Sequence, residues 1–169
     1  LGLLKLKIKP HTPVRMMLAQ VAESVESAIK DIGEVAVEWK FDGTRVQIHY
    51  SDGKVTIFSR RLENVTHALP DVVNMVVESV ESGVILDGEA VAVKDGRPLP
   101  FQNILRRFRR KHEVSKAMEK IPIIVNLFDI LYCKNPVYDG GETIDLPLAE
   151  RRKILEAVVK SGEGIRVAE

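Results

Sequence analysis

The chain has 169 residues, enough for one domain with its own core. Its 25 basic and 24 acidic residues leave a formal charge of +1, which argues neither for nor against a nucleic-acid partner, because local clusters hide in a neutral total. The single cysteine, Cys133, excludes an internal disulfide and a zinc-finger type of site, and no apolar run reaches the length of a membrane span. One free thiol fits a reducing compartment, cytoplasmic or, in a eukaryote, nuclear. A start at Leu1, with no methionine and no signal-peptide pattern, reads as the edge of an excised domain.

Residues 1–13 are extended and punctuated by Pro10 and Pro13. Over 14–30, Met17, Leu18, Val21, Val25, Ala28 and Ile29 follow helical spacing, and Asp31 and Gly33 end the helix. The period then becomes two. Val35, Val37 and Trp39 alternate with Ala36, Glu38 and Lys40, and Val46, Ile48 and Tyr50 with Gln47 and His49; Val55 and Ile57 follow the Asp52-Gly53 turn. This region reads as an antiparallel meander. Pro70 opens a helix carrying Val72, Val73, Val76 and Val80, closed by Gly83. Residues 84–93 form a long strand or a strand pair, Asp95-Gly96 a turn, and 101–111 a helix followed by a polar stretch to Lys120. Apolar density predicts a buried strand over 121–132, with a loop over 135–141. A last helix covers 148–160, with Ile154, Leu155 and Val158 as its core face. Strands and helices that do not alternate strictly give an α+β fold with antiparallel sheet.

Lys40 ends the first alternating strand, directly before Phe41-Asp42-Gly43. Alternation sends Glu38 and Lys40 to one face, with Val37 and Trp39 on the other. Arg45 begins the next strand, so Glu38, Lys40 and Arg45 line one cleft beside the turn. The alternative is a solvated lysine next to an ordinary turn. A lysine amine bonds to phosphorus only when deprotonated, a state favoured by neighbouring cations and partial burial, and an arginine matches phosphate oxygens in geometry.

The segment Glu38-Trp39-Lys40-Phe41-Asp42-Gly43-Thr44-Arg45 resembles the first motif of the covalent nucleotidyltransferases, Lys-x-Asp-Gly-x-Arg. That group contains DNA ligases, RNA ligases and messenger-RNA capping enzymes. Ser59-Arg60-Arg61-Leu62-Glu63-Asn64-Val65-Thr66 is similar to the second ligase motif, Leu86-Asp87-Gly88-Glu89 to the third, and Leu127-Phe128-Asp129-Ile130-Leu131 to the one after it. Leu99-Pro100-Phe101-Gln102-Asn103 with the basic run 106–111, and Leu146-Pro147-Leu148-Ala149-Glu150-Arg151-Arg152, resemble segments of the ATP-dependent DNA ligases of the archaeal and eukaryotic branch. The order and spacing of these pieces, from Pro10 to Glu169, carry the resemblance.

What the resemblance implies is an incomplete nucleotidyltransferase (ATP-grasp-like) adenylation domain, with antiparallel sheets flanked by helices and residues 1–169 as its front part. Lys40 is implied to take AMP from ATP with release of pyrophosphate. AMP then passes to the 5′-phosphate at a nick in duplex DNA, and the 3′-hydroxyl displaces it. Arg45 and Arg60 are implied at the nucleotide, Glu38 at the base, Glu89 at the ribose or Mg²⁺, and Phe128 against the adenine face. The basic run 106–111 is either a DNA-backbone contact or a solvated helix face. His11, His49, His67 and His112 show no metal-ligand spacing. No membrane partner is expected, and a sliding-clamp-type partner is unknown. The fourth and fifth motifs, the OB-fold and the N-terminal DNA-binding domain are expected outside 1–169. The chain alone is therefore expected to bind adenine nucleotide weakly or not at all, and not to seal DNA. The competing readings are an RNA ligase or capping nucleotidyltransferase, and a non-catalytic nucleic-acid-binding module that kept the fold.

Overall fold

The antiparallel path β2-β1-β3-β5-β6 frames the computed structural model, which describes residues 7–108 and 121–169. Strand β1 (Thr44–Ser51) turns at Asp52-Gly53 into β2 (Lys54–Ser59). Both turn residues have positive φ, 51° and 68°, as a two-residue hairpin of matching twist requires. β1 pairs on its other side with β3 (Val84–Lys94), which is one long strand and not a pair. β3 returns at Asp95-Gly96 into the short β4 (Arg97–Pro98) and pairs along its length with β5 (Ile123–Asn135).

One sheet face carries Val46, Ile48, Leu86, Ala90, Val125, Leu127 and Ile130, all fully buried. Helix α2 (Pro70–Ser79) packs Val72 and Val76 onto that face, and α4 (Leu148–Val158) packs Leu155 and Val158. α4 also makes the crossover that a parallel neighbour requires, since β7 (Ile165–Val167) pairs in parallel with β5. Its Arg151 supplies the partner that an aspartate inside an apolar strand needs. Nε and Nη2 donate to the two carboxylate oxygens of Asp129 at 2.7 and 3.0 Å, while Nη1 donates to the Leu146 carbonyl at 2.6 Å.

Several expectations change. The helix expected over 14–30 is reduced to α1 (Val25–Ile32), capped by Ser24 Oγ on the Ser27 amide. Backbone groups of Val14 and Met17 bond instead to side chains of β1, so tertiary partners replace the helical ladder there. The strand expected over 35–40 does not form. Trp39 N makes one backbone bond, to the Glu169 carbonyl at 3.3 Å, and Val37 and Trp39 are 88% and 73% exposed. An alternating pattern without a ladder partner remains extended coil. Where a loop was expected over 135–141, β6 (Tyr138–Glu142) pairs with β5, helped by Asn135 Oδ1 accepting from the Val137 amide at 2.9 Å.

Of the helix expected over 101–111, α3 (Gln102–Phe108) is seen, and 109–111 fall outside the described residues. Within that basic run, Arg107 is neither solvated nor free for DNA. It is buried and ion-paired to Asp71 of α2, with Nη2–Oδ1 at 2.6 Å.

Candidate active site

Two irregularities in the β3–β5 register shape the face opposite the core. Asp87 lies across from Asp129, but Gly88 lies across from Leu127, so Phe128 is an extra residue on β5. Such a bulge lets two successive side chains leave the same side of the sheet. It turns Phe128 out of the core and toward Arg45 of β1. Gly88 permits this, because a Cβ there would stand 2.7 Å from the Asn126 carbonyl oxygen.

Strand alternation adds Arg45, Asp87 and Glu89 to the same face, with Arg45 registered against Glu89. Arg45 Nε donates to both Asp87 oxygens at 3.0 and 3.2 Å, and Nη2 donates to Oδ2 at 2.7 Å. The guanidinium carbon lies 5.5 Å from the centre of the Phe128 ring, within cation–π range. Asp87 therefore holds the Arg45 guanidinium over the aromatic ring. Burial pushes the Asp87 carboxyl up from its ordinary range, and Arg45 pulls it back. The same pairing raises the Arg45 pKa further and keeps its charge fixed. Glu89 is pushed up by burial, offset by Lys40, Arg45 and the Gly43 backbone.

Lys40 approaches from the 34–43 segment, which ends at Gly43. A Cβ there would collide with the Ala90 carbonyl, so only glycine lets this segment pass so close to β3. Lys40 is exposed, and its Nζ donates to the Phe41 carbonyl at 3.2 Å. Arg60 stands on the tight 59–63 loop, where Ser59 Oγ accepts from the amides of Arg61 and Glu63 at 3.3 Å each. Glu38 Oε1 sits 3.9 Å from Arg152 Nη1 of α4. These residues share one cleft: Glu38, Lys40, Arg45, Arg60, Glu89 and Phe128 all line a cavity of about 1120 Å³.

Some lining residues were not singled out from the sequence. Trp39 lines the cleft beside Lys40, where alternation had put it on the opposite face. Phe101, directly before α3, and Leu105 and Phe108 within it form an apolar wall, legible afterwards from their i, i+4, i+7 spacing. Asp87, already read from the sequence on one strand face with Glu89, bears on the cleft through its bonds to Arg45. Thr44 Oγ1 is buried in the lining without a hydrogen-bond partner among the described residues.

The cleft lining holds four cations (Lys40, Arg45, Arg60 and Arg61), four acidic side chains (Glu38, Asp42, Glu63 and Glu89) and aromatic rings, a set in which the cations and rings suit a polyanion attached to a flat ring. Among the described residues no group of three or more His, Cys, Asp or Glu could hold a metal ion. Glu89 offers one carboxylate, which fits a Mg²⁺ ion bound mainly through a ligand's phosphates.

We expect Asp87→Asn to leave the sheet folded but to release Arg45. The cost is about 1–3 kcal/mol in thermal melts, from a buried charge-assisted bond. An unchanged melting temperature would show that Arg45 does not need its carboxylate partner.

The family model described as ATP dependent DNA ligase domain matches residues 16–169, and the chain belongs to that family. It is 61% identical over 167 residues to a DNA ligase of Archaeoglobus fulgidus, covering 99% of this chain and 29% of that protein. The chain thus spans less than a third of the length of the curated relatives it matches. The ligase domain of M. tuberculosis LigD superposes with a TM-score of 0.51 at 26% identity, over 75% of this chain and 41% of that one. A mycobacterial DNA ligase D complexed with ATP and MES superposes with a TM-score of 0.50 at 25% identity, over 75% and 40%. The α+β class with antiparallel sheet agrees with these neighbours.

Proposed function

We propose that residues 1–169 are the front part of the adenylation domain of an ATP-dependent DNA ligase that seals nicks in duplex DNA, and that Lys40 is the residue that receives AMP. The observation that carries the proposal is the convergence of Lys40, Arg45, Arg60, Glu89 and Phe128, from four separate sequence motifs, on one cleft. The amine of Lys40 attacks the α-phosphorus of ATP. The N–P bond forms, the bond to the bridging oxygen breaks, pyrophosphate leaves, and the amine's proton passes to solvent. Arg45 and Arg60 bind the phosphate oxygens and offset the charge that develops on them. Phe128 offers its ring to the adenine, with Arg45 against it. Glu38 reads the base edge and Glu89 holds the ribose or Mg²⁺, whose chemistry when bound is to neutralise phosphate charge. The later steps, transfer of AMP to a 5′-phosphate and its displacement by a 3′-hydroxyl, belong to the whole enzyme.

The chain's single tryptophan, Trp39, lines this cleft and reports on its occupancy. Titration with ATP is expected to change Trp39 fluorescence saturably but at high concentration, because residues 1–169 span less than a third of the length of the related ligases. Phe128→Ala should weaken the response roughly tenfold, the worth of one base-stacking contact. A response to GTP equal to that for ATP would favour a capping-type reading instead.

A further inference from the structure

The sheet face that carries the cleft continues along β1 beyond Arg45, and there the chain's own first described segment covers it. Three successive residues of that face each bind a backbone group of this strap. His49 Nδ1 accepts from the His11 amide at 3.0 Å. Gln47 Oε1 accepts from the Val14 amide at 2.8 Å, and its Nε2 donates back to the Val14 carbonyl at 3.1 Å. Arg45 Nη1 donates to the Met17 carbonyl at 3.2 Å. The next two residues, Leu18 and Ala19, line the cleft.

The network admits one protonation state. With Nδ1 accepting from His11, neutral His49 carries its proton on Nε2 and donates it to Gln47 Oε1, 2.9 Å away. Gln47 and His49 are both fully buried, a costly place for polar groups unless every one is paired. His11 adopts a left-handed φ of 64°, and its Nδ1 lies 2.8 Å from Thr56 Oγ1 of β2, which fastens the start of the strap.

We propose that Gln47 and His49 are positioning residues for the nucleotide cleft. By latching residues 11–17 across β1 they set the Met17 carbonyl against Arg45 and hold Leu18 and Ala19 in the cleft wall. The effect on nucleotide rests on the adenylation reading above; the latch itself does not. The latch needs neutral His49, whose pKa burial lowers to about 4, with the nearby His11 adding to the shift. Its neighbours Gln47, Thr56, Phe58 and Ile85 on β1, β2 and β3 are uncharged; Asp87, one step along the same face of β3 opposite Gln47, is paired to Arg45, and His11 is the titratable group that shifts His49. The folded value lies below the ordinary 6.5, so the latch contributes fully above about pH 6.5 and is lost as pH falls through about 4.

The experiment follows amide exchange and the Arg45 Nε–H NMR signal in the 169-residue chain, with Trp39 fluorescence for ATP. Gln47→Leu should raise exchange at the Val14 amide at least about tenfold, shift the Arg45 signal and raise the half-saturating ATP concentration several-fold, with Ile57 of β2 unchanged. Gln47→Glu keeps both acceptor contacts but loses the donor to the Val14 carbonyl and faces Asp87, so it should recover only part of the protection. Acidification from pH 7 to 4 should reproduce the loss. If Gln47→Leu also exposes Ile57, Val14→Pro removes the same bond from the strap side and leaves β1 intact. Val14 freed while the Arg45 signal stays unmoved overturns the proposal. An Arg45 signal that moves, while residues 16–169 placed in the whole related ligase take up no AMP, supports the latch and counts against the adenylation reading.

Discussion

Lys40→Arg is expected to reduce covalent AMP transfer by at least about four orders of magnitude, the scale on which a lost nucleophile acts. Charge is conserved in this replacement, so the loss isolates chemistry from electrostatics. A guanidinium stays protonated and has no lone pair to offer phosphorus, whereas an amine can lose its proton. Lys40 is exposed in the cleft lining, and among the described residues its Nζ bonds to the neighbouring Phe41 carbonyl alone, so removing its contacts disturbs little else. Binding of ATP read from Trp39 should therefore change by no more than roughly threefold, as for an exposed charge. Gel assay of nick sealing, with the variant carried in the whole enzyme, checks the prediction. Appreciable sealing by Lys40→Arg or Lys40→Ala would remove this residue from the mechanism.

The largest stability loss is expected far from the lysine, at Asp71. Its two oxygens accept from Arg107 Nη1 and Nη2, both at 2.6 Å, and the same guanidinium donates to the Ala68 and Ile121 carbonyls at 3.1 and 3.2 Å. The Arg107 side chain is 1% exposed, and its Nε is buried without a partner among the described residues. Asp71→Ala leaves that charge buried and unpaired, at a cost of about 3–5 kcal/mol. For a chain of this size this is a fall of roughly 10 °C in Tm. Arg107→Met should cost less, because Asp71 keeps some access to water and the methionine fills the space with apolar atoms. The consequence reaches the cleft, since α3 carries Leu105 and Phe108 into its wall. Thermal melts of the two variants check the order. Equal losses would mean that packing, and not the stranded charge, sets the cost.

The strands of the frame were legible because alternation and turn chemistry agree: Val46, Ile48 and Leu86 face the core, and Asp52-Gly53 and Asp95-Gly96 adopt the positive φ values their identities favour. The 14–30 helix and the 35–40 strand failed for a common reason. Local periodicity was present, but the backbone partners that fix a conformation come from elsewhere, from Gln47 and Arg45 in one case and from Glu169 in the other. β6 was missed because Gly140 and Gly141 give a strand no local signal, and its ladder with β5 decides it. At the site, the motif residues line one cleft, yet alternation alone could not place Phe128 and Asp129 on one side. That requires the bulge opposite Gly88, a property of pairing that no single strand encodes. Arg107 shows the reverse error: within a run of basic residues, one is an internal ion-pair partner, and composition cannot say which.

The most direct measurement is to find where AMP attaches. Residues 16–169 replace the matching segment of the 61%-identical Archaeoglobus fulgidus ligase, and the hybrid is incubated with Mg²⁺ and ATP labelled at the α-phosphate. Peptide mapping should place the label on the peptide containing Lys40, through a bond that survives mild alkali and breaks in acid, as a phosphoramidate does. Label on any other residue, or equal labelling of the Lys40→Arg hybrid, would contradict the account.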